Sequence, residues 1–223
     1  MSLLGTAILA FWADIEPAGE ADYLHWHTKE HMPERVGIPG FLRGRRYVAV
    51  KGAPKYFMMY ETESVATLAG PAYVERLNNP TPWTQRCLKL FRNSNRTACR
   101  TAASVGRGLG EAMATLRLGP TAGNDTRLRE WLTRTAFPAL LSRPDIVGVH
   151  LCEADLEATQ VRTEEKKLRD RPDEAARWVV LVEGIEPEAL DVACAELLDP
   201  EALRAHGAAA DPVLGIYRLH YIL

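Results

Sequence analysis

The sequence has few cysteines, and their spacing matches no common metal site. Cys87, Cys99, Cys152 and Cys194 lie far apart and form no Cys-x₂-Cys pair. This distribution argues against a zinc ribbon and against a small fold held together by disulfides. The simplest interpretation is four buried free thiols in a reducing compartment. We therefore expect a cytoplasmic protein.

Large excess charge and long apolar runs are also missing. The net charge of the 223 residues is −2, which gives no field that would attract nucleic acid or an anionic membrane. No apolar run approaches the roughly 20 residues needed to cross a bilayer. Residues 1–13 carry no basic region or cleavage signal, so no secretory leader is expected. These absences predict no nucleic-acid partner and no membrane partner.

Motifs that hold phosphates or activate serines are absent as well. The glycines of residues 106–110 follow no strand-to-helix pattern, so they indicate a linker instead of a nucleotide loop. No Gly-x-Ser-x-Gly elbow is present, which argues against a standard serine hydrolase. The sequence therefore demands no organic cofactor.

What the sequence does contain is one apolar pattern twice. A shift of 105 positions aligns the two copies without a gap. The matched pairs are Trp26/Trp131, Met32/Phe137, Pro33/Pro138, Phe41/Ile146 and Leu42/Val147. Because these are positions that a core needs, the pattern predicts a duplicated fold.

Each copy reads strand, helix, strand, strand, helix, strand, which is the ferredoxin-like βαββαβ order. We assign residues 1–106 to the first unit and residues 107–223 to the second. One such sheet has helices on one face only, so two copies can cover the other face by packing together. The prediction is an α+β fold in which two tandem units form a pseudo-symmetric dimeric α/β barrel. The first helix of the first unit is expected to end near Met32, because Pro33 follows.

The second unit carries an insertion at residues 161–177 that the first unit lacks. It is highly charged, and its charges are of both signs. Mixed charge favours a solvated helical arm or a mobile loop over a binding patch.

A polar cluster occurs in the first copy only. The cluster residues and their counterparts are His27/Leu132, His31/Ala136 and Glu34/Ala139. Residues four apart share a helix face, so the two histidines stack, and the glutamate lies about one turn further on. Such a group predicts general acid–base catalysis in which His31 moves a proton, Glu34 orients it and His27 assists.

Two other interpretations of this cluster stay open. The three side chains have the composition of a two-His-one-carboxylate metal site, which makes a metal-dependent enzyme a lesser alternative. They also suit the polar face of an amphipathic helix, so a non-catalytic ligand-binding or stress-related module is the main alternative. His25 points away from His27 and is expected at the surface.

Substrate contacts are predicted from neighbouring elements. Arg35 is expected to hold an anionic oxygen, while Tyr47 and Tyr60 are strand phenols that can face a ligand. Trp83 is expected in the pocket wall. Arg43, Arg45 and Arg46 are expected mostly at the solvent face of the second strand, by alternation.

Several motifs of the first unit resemble a bacterial family of dimeric α/β-barrel proteins related to the EthD-like group. They are EHMPER at residues 30–35, IPGF at 38–41, RY at 46–47 and NPTPWT at 79–84. The resemblance implies a small, largely apolar ligand and His31 as the central residue of the site. A homodimer is one of the assemblies open to the chain. The wider superfamily includes cofactor-free oxygenases, isomerases, cyclases and haem enzymes. The expected function is thus a cofactor-independent enzyme that acts on a small aromatic or conjugated metabolite by histidine-mediated proton transfer.

Overall fold

The computed structural model describes residues 3–169 and 171–223, and these residues form eight strands. The strands are β1 (Ala7–Ile15), β2 (Phe41–Lys51), β3 (Tyr56–Thr62), β4 (Phe91–Gly106), β5 (Ala112–Leu118), β6 (Ile146–Ala154), β7 (Trp178–Gly184) and β8 (Val213–Ile222). They close into one barrel in the order β1-β3-β2-β8-β5-β7-β6-β4. Every neighbouring pair is antiparallel.

This strand order reveals the duplication. The first unit contributes the sheet β4-β1-β3-β2 and the second contributes β8-β5-β7-β6, so equivalent strands take equivalent places. The two sheets join at β2–β8 and at β4–β6. The predicted α+β barrel of two ferredoxin-like halves is confirmed, and it closes within a single chain.

Helices cover the outside of each half. The first half carries α1 (Glu20–Trp26), α2 (Met32–Val36), α3 (Pro71–Asn78) and α4 (Pro82–Leu88). The second half carries α5 (Asp125–Trp131), α6 (Phe137–Leu141), α7 (Leu156–Gln160), α8 (Glu164–Lys167), α9 (Pro187–Leu197) and α10 (Pro200–Ala205). Among the residues described, no helix is both long enough and apolar enough to cross a membrane.

The helix that was expected to end near Met32 continues to Val36. A π-helical turn over His27–His31 joins α1 to α2, and the Met32 amide donates to the His27 carbonyl, five residues back. The wider turn accommodates the ring of Pro33, which would clash with the carbonyl four residues earlier in a regular α-helix. The second half has the same turn over Leu132–Ala136, a shift of 105 positions. The expected helix end is therefore wrong.

Apolar side chains form three cores. One lies between sheet and helices in each half, and the third fills the barrel interior. The interior cluster includes Trp12, Tyr47, Phe57 and Tyr217, all fully buried. These large rings fill the space between the two sheets, so the barrel is a packed core instead of a ligand chamber.

A buried ion-pair network also joins the halves inside the barrel. Arg45 lies 2.8 Å from Glu61 and 3.2 Å from Glu183, and His150 contacts Glu183 at 3.3 Å. Burial alone would raise the pKa of Glu183, but the hydrogen bond from His150 and the charge of Arg45 lower it to about 2. Arg45 and Arg46 are buried, so the expected solvent exposure of these two side chains is wrong. Both faces of β2 are covered, one by the barrel interior and one by helices.

The charged insertion is folded against the first half. Thr163, Glu165 and Arg169 are buried, and the Ala176 amide donates to Thr97 Oγ1 of β4 at 2.9 Å. These contacts contradict a freely solvated arm, although Glu164, Lys167, Arg171 and Glu174 of the same insertion are exposed. We call residues 156–169 and 171–177 the cover segment, because they lie over the helices and strands of the other half.

Candidate functional site

A small cavity lies between the helices and the sheet of the first half. His31 from the π turn, Arg35 from α2 and Tyr60 from β3 line it, and Glu165 of the cover segment closes it. The apolar part of its wall is made of Leu9, Phe11, Leu77, Leu88 and Phe91. Its volume is about 30 Å³, which is enough for ordered water and far below the roughly 300–1,000 Å³ of a ligand-sized site. We call this space the inner cavity.

His31 is the residue best placed for chemistry. Its Nδ1 is buried and makes no hydrogen bond within the part of the chain that the structure describes. Its ring packs on Trp26 with 4.3 Å between centroids and lies 6.4 Å from the ring of Tyr60. Burial, and then the positive charge of Arg35, lower the pKa of His31 well below its usual range. The imidazole is therefore neutral at pH 7 and can accept a proton.

His27 lies one turn before His31 on the same face, with 5.5 Å between ring centroids. Its Nε2 is 3.3 Å from the hydroxyl of Tyr60. Burial lowers the pKa of His27, and burial raises the pKa of Tyr60, so the imidazole is neutral and the phenol keeps its proton at pH 7. The i, i+4 spacing thus brings the two histidines together, and the packing of the helix on β3 adds Tyr60.

Glu34 does not contact His31. Its carboxylate accepts a hydrogen bond from Arg76 at 2.8 Å and lies 3.5 Å from Arg35. Partial burial raises the pKa of Glu34. Among the described residues no hydrogen bond joins Glu34 to the imidazole, so the geometry lets it orient Arg35 instead.

Arg35 is a buried cation between two acids. Its guanidinium pairs with Glu165 of the cover segment, and the ring of Tyr73 lies 5.9 Å from the guanidinium carbon. Arg35 and Glu165 are both less than 5% exposed. The first half thus supplies the cation and the second half the anion that closes the inner cavity.

Two predicted substrate contacts lie elsewhere. Tyr47 faces the barrel interior, where its hydroxyl accepts a hydrogen bond from Arg45 at 2.9 Å. Trp83 is half-buried on α4, where its indole donates to Asp22 at 3.0 Å and meets the edge of His25. Neither side chain lines the inner cavity.

The described residues include no group of three or more His, Cys, Asp or Glu side chains placed to hold a metal ion. His27 and His31 lie side by side, but Glu34 is turned to Arg76. The geometry therefore gives no support to the three-ligand metal alternative.

In the closed arrangement of the cover segment, the space beside His31 is too small for a haem. The inner cavity measures about 30 Å³, whereas sites for ligands of drug or cofactor size measure roughly 300–1,000 Å³. One face of the imidazole is occupied by Trp26.

Sequence reasoning missed the residues that connect the inner cavity to a larger space. An outer cavity of about 710 Å³ lies along the cover segment. Four residues line both spaces, namely Arg96, Thr163, Lys166 and Arg169. The one sequence signal for these residues was the insertion at 161–177. The second half has this insertion and lacks the polar cluster, so the insertion was a candidate to cover the cluster of the first half.

Comparison with known proteins gives no match to a family model and no match to a curated protein. Solved structures do match over almost the whole chain. An anthrone oxidase-like protein has a TM-score of 0.65 at 12% identity, covering 97% of this chain and 92% of its own. A candidate monooxygenase from Lactobacillus acidophilus NCFM has a TM-score of 0.59 at 10% identity, covering 97% and 95%.

A candidate chlorite dismutase, TA0507, has a TM-score of 0.61 at 10% identity and covers 98% of this chain and 96% of its own. At these identities the likeness establishes the fold. The distant structural relatives include proteins described as monooxygenases or as anthrone oxidase-like.

Proposed function

We propose that this protein is an enzyme that transfers a proton to or from a small, largely apolar aromatic or conjugated metabolite, with His31 as the general base. The observation that carries the proposal is a partly exposed, neutral imidazole whose Nδ1 is buried and has no partner among the described residues. It lines a cavity whose wall combines apolar side chains with Arg35 and Tyr60. The fold shared with an anthrone oxidase-like protein supports a conjugated substrate.

The first step is removal of an acidic proton from the substrate by His31. A conjugated substrate then carries its negative charge on an oxygen, and a cation in a site that excludes water stabilises this charge strongly. Arg35 is that cation, because it is buried on the same helix one turn after His31. Tyr60 keeps its proton and can donate a hydrogen bond to the same oxygen.

The cover segment must move for a substrate to enter. A conjugated ring system cannot occupy about 30 Å³, so the inner cavity has to enlarge on binding. The contact that must open is the ion pair of Arg35 with Glu165. Once Glu165 withdraws, Arg35 exchanges a carboxylate for the developing oxyanion and remains paired.

This proton transfer is shared by cofactor-free oxygenation, isomerisation, cyclisation and lyase reactions. We assign this shared proton transfer to the protein. The four reaction classes differ in what happens to the substrate anion afterwards. No residue role in the step requires an organic cofactor.

Deuterium exchange tests the proton transfer without assuming which product the substrate anion forms. Anthrone is a suitable probe because it is a conjugated ketone with an acidic methylene, and argon suppresses its oxidation. Wild-type protein should accelerate deuterium incorporation at that methylene, and His31→Asn should lose about 10²–10⁴-fold of the acceleration. His25→Asn is the matched control, because His25 is exposed on the same helix. Equal acceleration by His31→Asn and wild type would remove His31 from the mechanism.

A further inference from the structure

Six of the thirteen residues that line the outer cavity carry cationic side chains. They are Arg96, Arg162, Lys166, Lys167, Arg169 and Arg171. Asp173 is the one carboxylate among its described lining residues. The whole chain has a net charge of −2, so this concentration of positive charge is local.

Some of these cations are neutralised by neighbours. Arg169 and Asp173 form a two-point ion pair at 2.8 and 2.7 Å, with both side chains buried. Lys167 pairs with Glu164 at the surface. These two cations therefore have their charge balanced within the cover segment.

Arg96 is different. It is a buried residue of β4, and its Nη2 donates to the hydroxyl of Tyr73 at 3.1 Å. Tyr73 is a neutral partner, and across residues 3–169 and 171–223 no carboxylate lies within ion-pairing distance of Arg96. A buried cation is costly to the fold unless an anion balances it.

Lys166 lies beside Arg96 on the wall shared by the two cavities. It is half-buried, and its Nζ donates to the backbone carbonyl of Thr159 at 2.5 Å. Burial, and then repulsion from Arg96, lower the pKa of Lys166 to about 8. An anion bound between the two cations would relieve this repulsion.

We propose that Arg96 and Lys166 form a binding site for the carboxylate of an aromatic or conjugated acid, which lies in the outer cavity and extends its apolar part toward His31. A planar carboxylate matches the donor fork of a guanidinium, which favours it over other anions. The orientation toward His31 rests on the proposed function, whereas the carboxylate site itself does not.

Isothermal titration calorimetry with 2-naphthoate and its neutral analogue 2-naphthamide tests the site. Wild-type protein should bind the carboxylate at least tenfold more tightly than the amide. Arg96→Gln and Lys166→Gln should each lose most of this preference, while binding of the amide should change little. Arg134→Gln is the matched control, because the side chain of Arg134 is 77% exposed and pairs with Glu130 one helical turn earlier, at 3.5 Å.

Equal affinity of wild-type protein for 2-naphthoate and 2-naphthamide would overturn the proposal. This comparison uses wild-type protein alone, so it does not depend on the folding of a variant. An unchanged preference in folded Arg96→Gln would also overturn it. His31→Asn should keep the preference for 2-naphthoate, because His31 does not belong to the carboxylate site. If His31→Asn keeps both this preference and full exchange activity, the proposed function fails while the carboxylate site stands.

Discussion

Arg35 on α2 of the first half forms a buried ion pair with Glu165 of the cover segment, 130 residues later in the chain. Both halves therefore complete one site. The first half holds the imidazoles and the guanidinium, and the second half supplies the acid that closes over them. The duplication left one half with the polar cluster and gave the other half the segment that covers it.

Removing the acid of this pair should destabilise the protein. Glu165→Gln leaves Arg35 buried, with Glu34 at 3.5 Å as its remaining ion-pair partner among the described residues. Breaking a buried pair typically costs about 3–5 kcal/mol, and we expect about 3 kcal/mol of lost unfolding free energy here. Urea denaturation measures it. Glu164→Gln is the control, because its carboxylate is 52% exposed and should matter by less than about 1 kcal/mol. Equal effects of the two variants would show that the pair is not buried in solution.

Stability should fall when the solution becomes acidic. The pKa values of His27 and His31 are lowered in the folded protein, so the unfolded chain takes up protons first as the pH drops below about 6.5. The unfolding free energy should change little from pH 8 to 7, where Lys166 contributes a small decrease. Below pH 7 it should decrease more steeply, by up to roughly 1.4 kcal/mol per pH unit for each histidine. Denaturation of wild type and His31→Asn between pH 8 and 5.5 measures this. The variant should show the smaller slope, and identical slopes would contradict the assigned burial.

The two tyrosines predicted to contact substrate should behave differently. Tyr60→Phe removes a hydroxyl that lies 3.3 Å from His27 and lines the inner cavity, so it should reduce proton exchange about tenfold or more. Tyr47→Phe removes a hydroxyl bonded to Arg45 inside the barrel, so it should lower stability by about 1 kcal/mol and leave exchange unchanged. The reverse pattern would place the site inside the barrel.

The fold could be predicted because its signals are periodic and local. The apolar pattern repeats at a shift of 105 positions, and the barrel follows from two sheets that each need a cover. The proximity of His27 and His31 could be predicted for the same reason, since residues four apart share a helix face.

The remaining features depend on contacts between distant parts of the chain. Mixed charge in the cover segment indicates solvent exposure, and nothing local shows that Glu165 meets Arg35. Tyr47 and Tyr60 are both strand residues, but they lie on opposite faces of the barrel wall, one with the interior cluster and one with the helices. Pro33 predicts a helix end, and only the π turn before it explains why the helix continues.

The central claim is that His31 is a neutral base held in a buried cavity, and an NMR titration of the histidine side chains tests it most directly. Labelled imidazole signals would be followed from pH 8 to 5, with His31→Asn identifying the resonance of His31. We predict that the imidazole of His31 is still neutral well below the ordinary histidine pKa of about 6.5. A His31 signal that titrates at this ordinary value would contradict the account.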